Sequence, residues 1–105
     1  MVYLNGNFIP KDKAYIPVMD RGFLFGDGIY EVFPVYNNTI IGLESHLNRL
    51  QDGLDAINII NPHSKDEWIT LINKIVTLNN KNSSQAIYLQ ISRGCDENRK
   101  HTYGK

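Results

Sequence analysis

The order of periodic segments predicts an α+β domain, an antiparallel β-sheet with two consecutive α-helices on one face. Three observations carry this expectation. Runs with a two-residue strand period lie on either side of the chain's middle, two helical patterns follow one another with no strand between them, and strict βαβ alternation is absent. The 105 residues are 42% hydrophobic and 21% charged. A chain of that size supports one modest core, so residues 1–105 are expected to form a single domain.

Residues 2–9 hold two short apolar runs around Asn5-Gly6, the dipeptide best suited to the two positive φ values of a type I′ turn, and read as a β-hairpin. Farther on, Gly22, Gly26 and Gly28 alternate with aromatic residues and mark a tight loop leading into a strand over 29–36. A two-residue period places Tyr30, Val32, Pro34 and Tyr36 on one face of that strand and Ile29, Glu31, Phe33 and Val35 on the other. Pro34 has no N–H, so either the strand lies at a sheet edge or the proline nitrogen faces away from a partner. Asn37-Asn38 turns the chain into a second hairpin with 39–41.

Leu43, Leu47, Leu50, Leu54 and Ile57 recur at spacings of four and three and predict a helix, with Arg49 off its apolar stripe. Gly53 in that helix costs roughly 1 kcal/mol against alanine and points to a close packing approach. Ser64 and Glu67 have the spacing of a capping box, and Trp68, Ile69, Ile72, Ile75 and Val76 carry a second helix to Leu78. A polar loop follows, and 86–92 alternates Ile87, Leu89 and Ile91 against Tyr88, Gln90 and Ser92, a half-buried strand.

Eleven basic and eleven acidic residues balance to zero, which argues against a nucleic-acid partner. Neither a signal-type apolar run at the start nor eighteen consecutive apolar residues anywhere is found, so no membrane association and a cytoplasmic location are expected. Cys95 is the single cysteine and reads as a spare thiol, since no pattern around it supplies an activating base. His46 and His63 share no metal-ligand spacing with each other or with His101 and are read as structural, so no metal site is expected. The sequence ends just after a polar, charged cluster with no closing element, which reads like a cut within a longer protein.

Three features remain as carriers of chemistry. The stretch Gly22-Phe-Leu-Phe-Gly-Asp-Gly28 lacks both the G-x-G-x-x-G context and the Lys-Ser/Thr of a P-loop and is better read as a turn than as a nucleotide cradle. Arg93, Arg99, Lys100 and His101 cluster past a strand end, where guanidinium groups and a histidine suit an anionic small ligand as well as a solvated loop. Arg49 on the first long helix, with His46 one turn before it, reads by itself as a surface residue.

Together, Asp20-Arg-Gly-Phe-Leu-Phe-Gly-Asp-Gly-Ile-Tyr-Glu-Val32, Glu44-Ser-His-Leu-Asn-Arg-Leu50 and Tyr88-Leu-Gln-Ile-Ser-Arg-Gly94 resemble the N-terminal domain of fold-type IV pyridoxal-phosphate enzymes. That group holds D-amino-acid aminotransferases, branched-chain aminotransferases and aminodeoxychorismate lyase. Arg99-Lys-His101 looks like the R-x-H element of the D-amino-acid enzymes. The resemblance implies that Tyr30, Arg99 and His101 hold the substrate carboxylate, Arg99 and His101 reaching into the other subunit of a homodimer. It further implies that Val32 lines the side-chain pocket and that Arg49 binds the phosphate of pyridoxal 5'-phosphate.

The implied reaction is transamination between a D-amino acid such as D-alanine and a 2-oxo acid such as 2-oxoglutarate. Branched-chain transamination, the 4-amino-4-deoxychorismate lyase reaction and a stand-alone binding domain are the alternatives. No lysine here matches the catalytic Schiff-base lysine, so no catalytic residue is assigned in this chain. The resemblance places that lysine in a following domain, making 1–105 the N-terminal part of a two-domain enzyme that is inactive alone.

Overall fold

The computed structural model describes residues 1–79 and 84–95 and has the expected α+β architecture. Strands β1 (Val2–Leu4) and β2 (Asn7–Ile9) form a two-stranded antiparallel sheet, with Asn5 at φ 48° and Gly6 at φ 93° between them. Two successive positive φ angles give the turn the twist of the flanking strands. The hairpin is tied to the rest by the Tyr3 hydroxyl, 3.2 Å from His63 Nε2, and by Lys74 lying over the Phe8 ring.

A three-stranded antiparallel sheet has the order β4-β3-β5, with β3 (Gly28–Tyr36) between β4 (Thr39–Ile40) and β5 (Gln85–Ser92). The register sets Ile29 opposite Ile91, Glu31 opposite Leu89 and Phe33 opposite Ile87 on the inner face. Tyr30, Val32, Pro34 and Tyr36 all face outward, as the two-residue period requires. The position of β3 removes the edge-strand alternative for Pro34. Its carbonyl accepts from the Ile41 N–H at 2.8 Å, and because N and C=O of one strand residue point the same way, its nitrogen faces just past the end of β4, away from β5.

One element departs from expectation. The glycine-rich stretch, read as a loop, contains a short helix α1 (Arg21–Phe25). Asp20 caps it, Oδ1 accepting from the Gly22 N–H at 2.8 Å and the Phe23 N–H at 3.4 Å, and Gly26 closes it in the left-handed region at φ 66°. Five residues are too few to show a hydrophobic period, so the caps alone define this helix.

Helices α2 (Leu43–Ala56) and α3 (Lys65–Leu78) follow in succession over the inner sheet face. Phe33, Leu47, Leu50, Leu54, Trp68, Ile72 and Leu89 form the core between them. Ser64 and Glu67 make the reciprocal capping box, and Asn61 accepts from the Trp68 indole N–H at 2.7 Å so that the ring is buried with its donor paired. Among the described residues no buried side-chain nitrogen or oxygen lacks a partner.

Two close approaches set how these layers meet. A Cβ on Gly53 would come within 3.1 Å of Ile29 Cδ1, so α2 approaches β3 where a side chain is absent. A Cβ on Gly28 would come within 2.5 Å of the Ile91 carbonyl oxygen, which belongs to backbone and cannot swing aside. In urea unfolding, Gly53→Val should lose about 1–3 kcal/mol through overpacking. Gly53→Ala should be near neutral, because the gain of about 1 kcal/mol in helix propensity is offset by the tight contact with Ile29. A fully realised gain for the alanine variant would show that the helix rides away from the strand without penalty.

Candidate functional site

β3 displays Tyr30 and Val32 on its solvent face, 62% and 39% exposed. Across the sheet Tyr88 stands opposite Val32, and its ring stacks on Tyr30 with centroids 5.7 Å apart and planes 18° apart. The Tyr88 hydroxyl donates to Gln90 Oε1 at 2.8 Å. The result is an outward wall of two stacked phenols beside a small aliphatic residue, which gives shape and polar tips to one surface.

Arg49 lies off the Leu47, Leu50 and Leu54 stripe of α2, and its side chain is 70% exposed. It is nevertheless anchored. Its Nε donates to Glu31 Oε2 at 2.8 Å and its Nη2 to Glu31 Oε1 at 2.9 Å, a bidentate fork. His46, one turn earlier, places Nδ1 2.7 Å from the same Oε1 and sets its ring edge-on to Phe33 at 5.3 Å. The Arg49 hydrogen bond, aided by His46, outweighs burial and holds the Glu31 carboxyl below the ordinary glutamate range. Glu31 in turn raises the Arg49 pKa through the hydrogen bond and its charge.

A second ionic group joins the glycine-rich stretch to the end of β5. Asp27 accepts from Arg21 Nε at 2.7 Å and from Arg93 Nε at 3.0 Å, while Arg93 Nη2 donates to the Ile57 carbonyl at 2.6 Å. Burial raises the Asp27 pKa, but the two arginines outweigh it and keep the carboxyl below its ordinary value. Arg93, grouped at first with the basic residues suited to an anionic ligand, is therefore engaged inside the fold. Asp20 ties the same two segments through the Ser92 hydroxyl, which donates to Oδ2 at 2.9 Å, and through a bridge between Asp20 and Cys95.

Of the residues expected to bind substrate or cofactor, Tyr30, Val32 and Arg49 are described; Arg99 and His101 lie outside the described residues. Sequence reading passed over Glu31, although a signal was present: the alternation of β3 put this carboxylate on the face shared with Ile29, Phe33 and Val35. A charge at a core position implies a buried partner. His46, read as structural, is one such partner and supports Glu31 directly. Among the described residues no group of three or more His, Cys, Asp or Glu is arranged to hold a metal ion, and no helix is long and apolar enough to cross a membrane. A groove along the α2–α3 connection, lined by Gln51, Asp55, His63 and Glu67 among others, includes none of Tyr30, Val32 or Arg49.

Residues 28–104 match the family model described as Amino-transferase class IV. The chain belongs to the class IV aminotransferases. It is 36% identical over 100 residues to a D-alanine aminotransferase of Listeria monocytogenes, which covers 95% of this chain and 34% of that protein. Against a D-alanine aminotransferase of Staphylococcus aureus the identity is 36% over 102 residues, covering 97% and 36%. This class IV aminotransferase chain thus spans about one third of the length of those relatives.

Solved structures share the fold. A hypothetical aminotransferase from Mycobacterium tuberculosis in its PLP-bound form superposes with a TM-score of 0.78 at 19% identity, over 91% of this chain and 34% of that one. A branched-chain aminotransferase from Thermoproteus uzoniensis with norvaline gives 0.78 at 18% identity, over 95% and 34%. The 4-amino-4-deoxychorismate lyase from Pseudomonas aeruginosa gives 0.68 at 27% identity, over 85% and 31%.

The Glu31 cluster carries a pH signature. Because the folded-state pKa of Glu31 lies below its ordinary value, the unfolded chain binds more protons in the interval between the two. Its stabilisation is complete above about pH 4.3, the ordinary glutamate value, and disappears as pH falls through the lowered folded value. Glu31→Gln should cost about 1–3 kcal/mol at neutral pH. Urea midpoints measured from pH 7 down to pH 3 should converge for the two proteins at the acid end. A constant gap across that range would show that the carboxylate's charge is not what stabilises.

Proposed function

We propose that this class IV aminotransferase chain is the N-terminal part of a two-domain, pyridoxal 5'-phosphate-dependent enzyme moving an amino group between a D-amino acid such as D-alanine and a 2-oxo acid such as 2-oxoglutarate. One observation carries the reading: Tyr30 and Val32 share the outward face of β3 in a chain 36% identical to D-alanine aminotransferases over nearly its whole length. The catalytic lysine belongs to the domain that follows, so this chain alone turns nothing over.

The residues present suit the cofactor. A guanidinium held by one edge and 70% exposed offers donors to a phosphate, the role given to Arg49. When bound, pyridoxal phosphate supplies the electron sink for amino-group transfer. The Tyr30 phenol donates to the substrate carboxylate, and Arg99 and His101 complete that grip from the second subunit of a homodimer. Val32 faces the substrate side chain; its small size leaves room for several amino acids. Gripping the carboxylate in one orientation decides which face of the substrate Cα is presented for proton removal, so stereochemistry follows from binding. The balanced charge and lone cysteine accord with a cytoplasmic enzyme.

A second reading within the family is favoured by the 27% identity to the Pseudomonas aeruginosa lyase. Assays of the full-length protein with D-alanine, L-leucine and 4-amino-4-deoxychorismate separate these activities. D-alanine should be consumed in the presence of 2-oxoglutarate; turnover of only the other two would overturn the D-amino-acid assignment. Arg99→Ala in that protein should raise KM for D-alanine about ten- to hundredfold while leaving cofactor absorbance intact, since it removes a charge-assisted contact to substrate alone. An unchanged KM would remove Arg99 from the carboxylate site.

A further inference from the structure

Glu31 has no part in the roles assigned above, yet among the described residues it is the only buried carboxylate. It stands between Ile29 and Phe33 on the core-facing side of β3. A carboxylate there is unfavourable unless its oxygens are fully engaged. Both are: Oε2 accepts from Arg49 Nε, and Oε1 accepts from Arg49 Nη2 and lies 2.7 Å from His46 Nδ1.

The two arginine contacts use one edge of a planar group, so they set both the plane and the direction of the guanidinium and leave Nη1 on the opposite edge. Unanchored, a side chain this exposed would sample many rotamers, and binding an anion would have to freeze them. His46, packed against Phe33, restrains the carboxylate in the same way one step back.

We propose that Glu31 is the positioning residue of the cofactor site, holding Arg49 with its free edge turned to the phosphate. This rests on the reading that Arg49 binds that phosphate. The role is distinct from general support of the fold because it acts on the phosphate alone: a ligand lacking that group gains nothing from an aligned Arg49.

The experiment compares two probes, pyridoxal 5'-phosphate and pyridoxal, titrated into the apo form of the full-length enzyme and followed by absorbance. Glu31→Gln should weaken pyridoxal phosphate about ten- to hundredfold, by analogy with the loss of a group that orients a metal ligand. Pyridoxal should be nearly unaffected. Glu31→Asp, which keeps the charge at shorter reach, should recover part of the loss, and Glu31→Gln should add little in an Arg49→Ala background.

If Arg49→Ala leaves pyridoxal phosphate binding unchanged, the phosphate reading itself fails. If Arg49→Ala weakens it and Glu31→Gln does not, the phosphate reading stands and the positioning role is overturned. Equal weakening of both probes by Glu31→Gln would mark a merely structural residue. Should Glu31→Gln not fold, the probe ratio of Glu31→Asp decides, and failure of both variants to fold would reduce Glu31 to a folding determinant and end the proposal.

Discussion

Placing Glu31 on the inner face of β3 is the constraint around which the contact between β3 and α2 is organised. A carboxylate next to Ile29 and Phe33 cannot stay charged without polar partners on its oxygens, and α2 supplies them. The helix answers with His46 and Arg49, three residues apart and therefore on one side of the helix. That pairing is satisfied at the same rotation of α2 that turns Leu47, Leu50 and Leu54 into the core. Gly53 completes the arrangement by letting the helix backbone come down onto Ile29. Charge pairing and apolar packing thus select the same orientation, the kind of agreement between levels that gives a sequence one structure.

A second carboxylate does comparable work just before the start of β3. Asp27 joins Arg21 of the short helix to Arg93 past the end of β5, and Gly28 follows where the ladder leaves no room for a side chain. Asp20, Arg21, Gly22, Asp27 and Gly28 therefore serve a single junction with the end of β5. That accounts for a glycine-rich pattern that matches neither nucleotide-binding fingerprint: Gly22 and Gly28 admit β5, Gly26 closes α1, Asp20 caps α1 and Asp27 holds two arginines of the same chain.

Much of this could be read before any coordinates, because the relevant signals are periodic or local. The two-residue alternation of β3 sorted its residues correctly between faces, the leucine spacing found α2, and Ser64 with Glu67 found the start of α3. Asn5-Gly6 identified the first turn from φ requirements alone. What escaped was of two kinds. Helix α1 is too short for a period and is defined by hydrogen bonds to Asp20, which look in sequence like ordinary loop chemistry. The ion pairs join residues far apart in the chain, Glu31 with Arg49 and Asp27 with Arg93, and such partners are known only once strands and helices have been laid together. Arg93 is the instructive case: grouped in sequence with Arg99 and His101, it is committed instead to Asp27.

The outward face of β3 and β5 has a bearing on how such a chain diversifies. Positions 30, 32, 34, 36 and 88 project from a sheet whose opposite side alone carries the core. Replacing one of them alters the wall of the proposed site while leaving the packing beneath untouched, so new side-chain preferences are reachable by single substitutions at small cost in stability. Insertion or deletion of a single residue in the same strand would instead exchange the two faces, turning Tyr30 inward and Glu31 outward. Within this scaffold, the outward face is free to change by substitution and is closed to change by length.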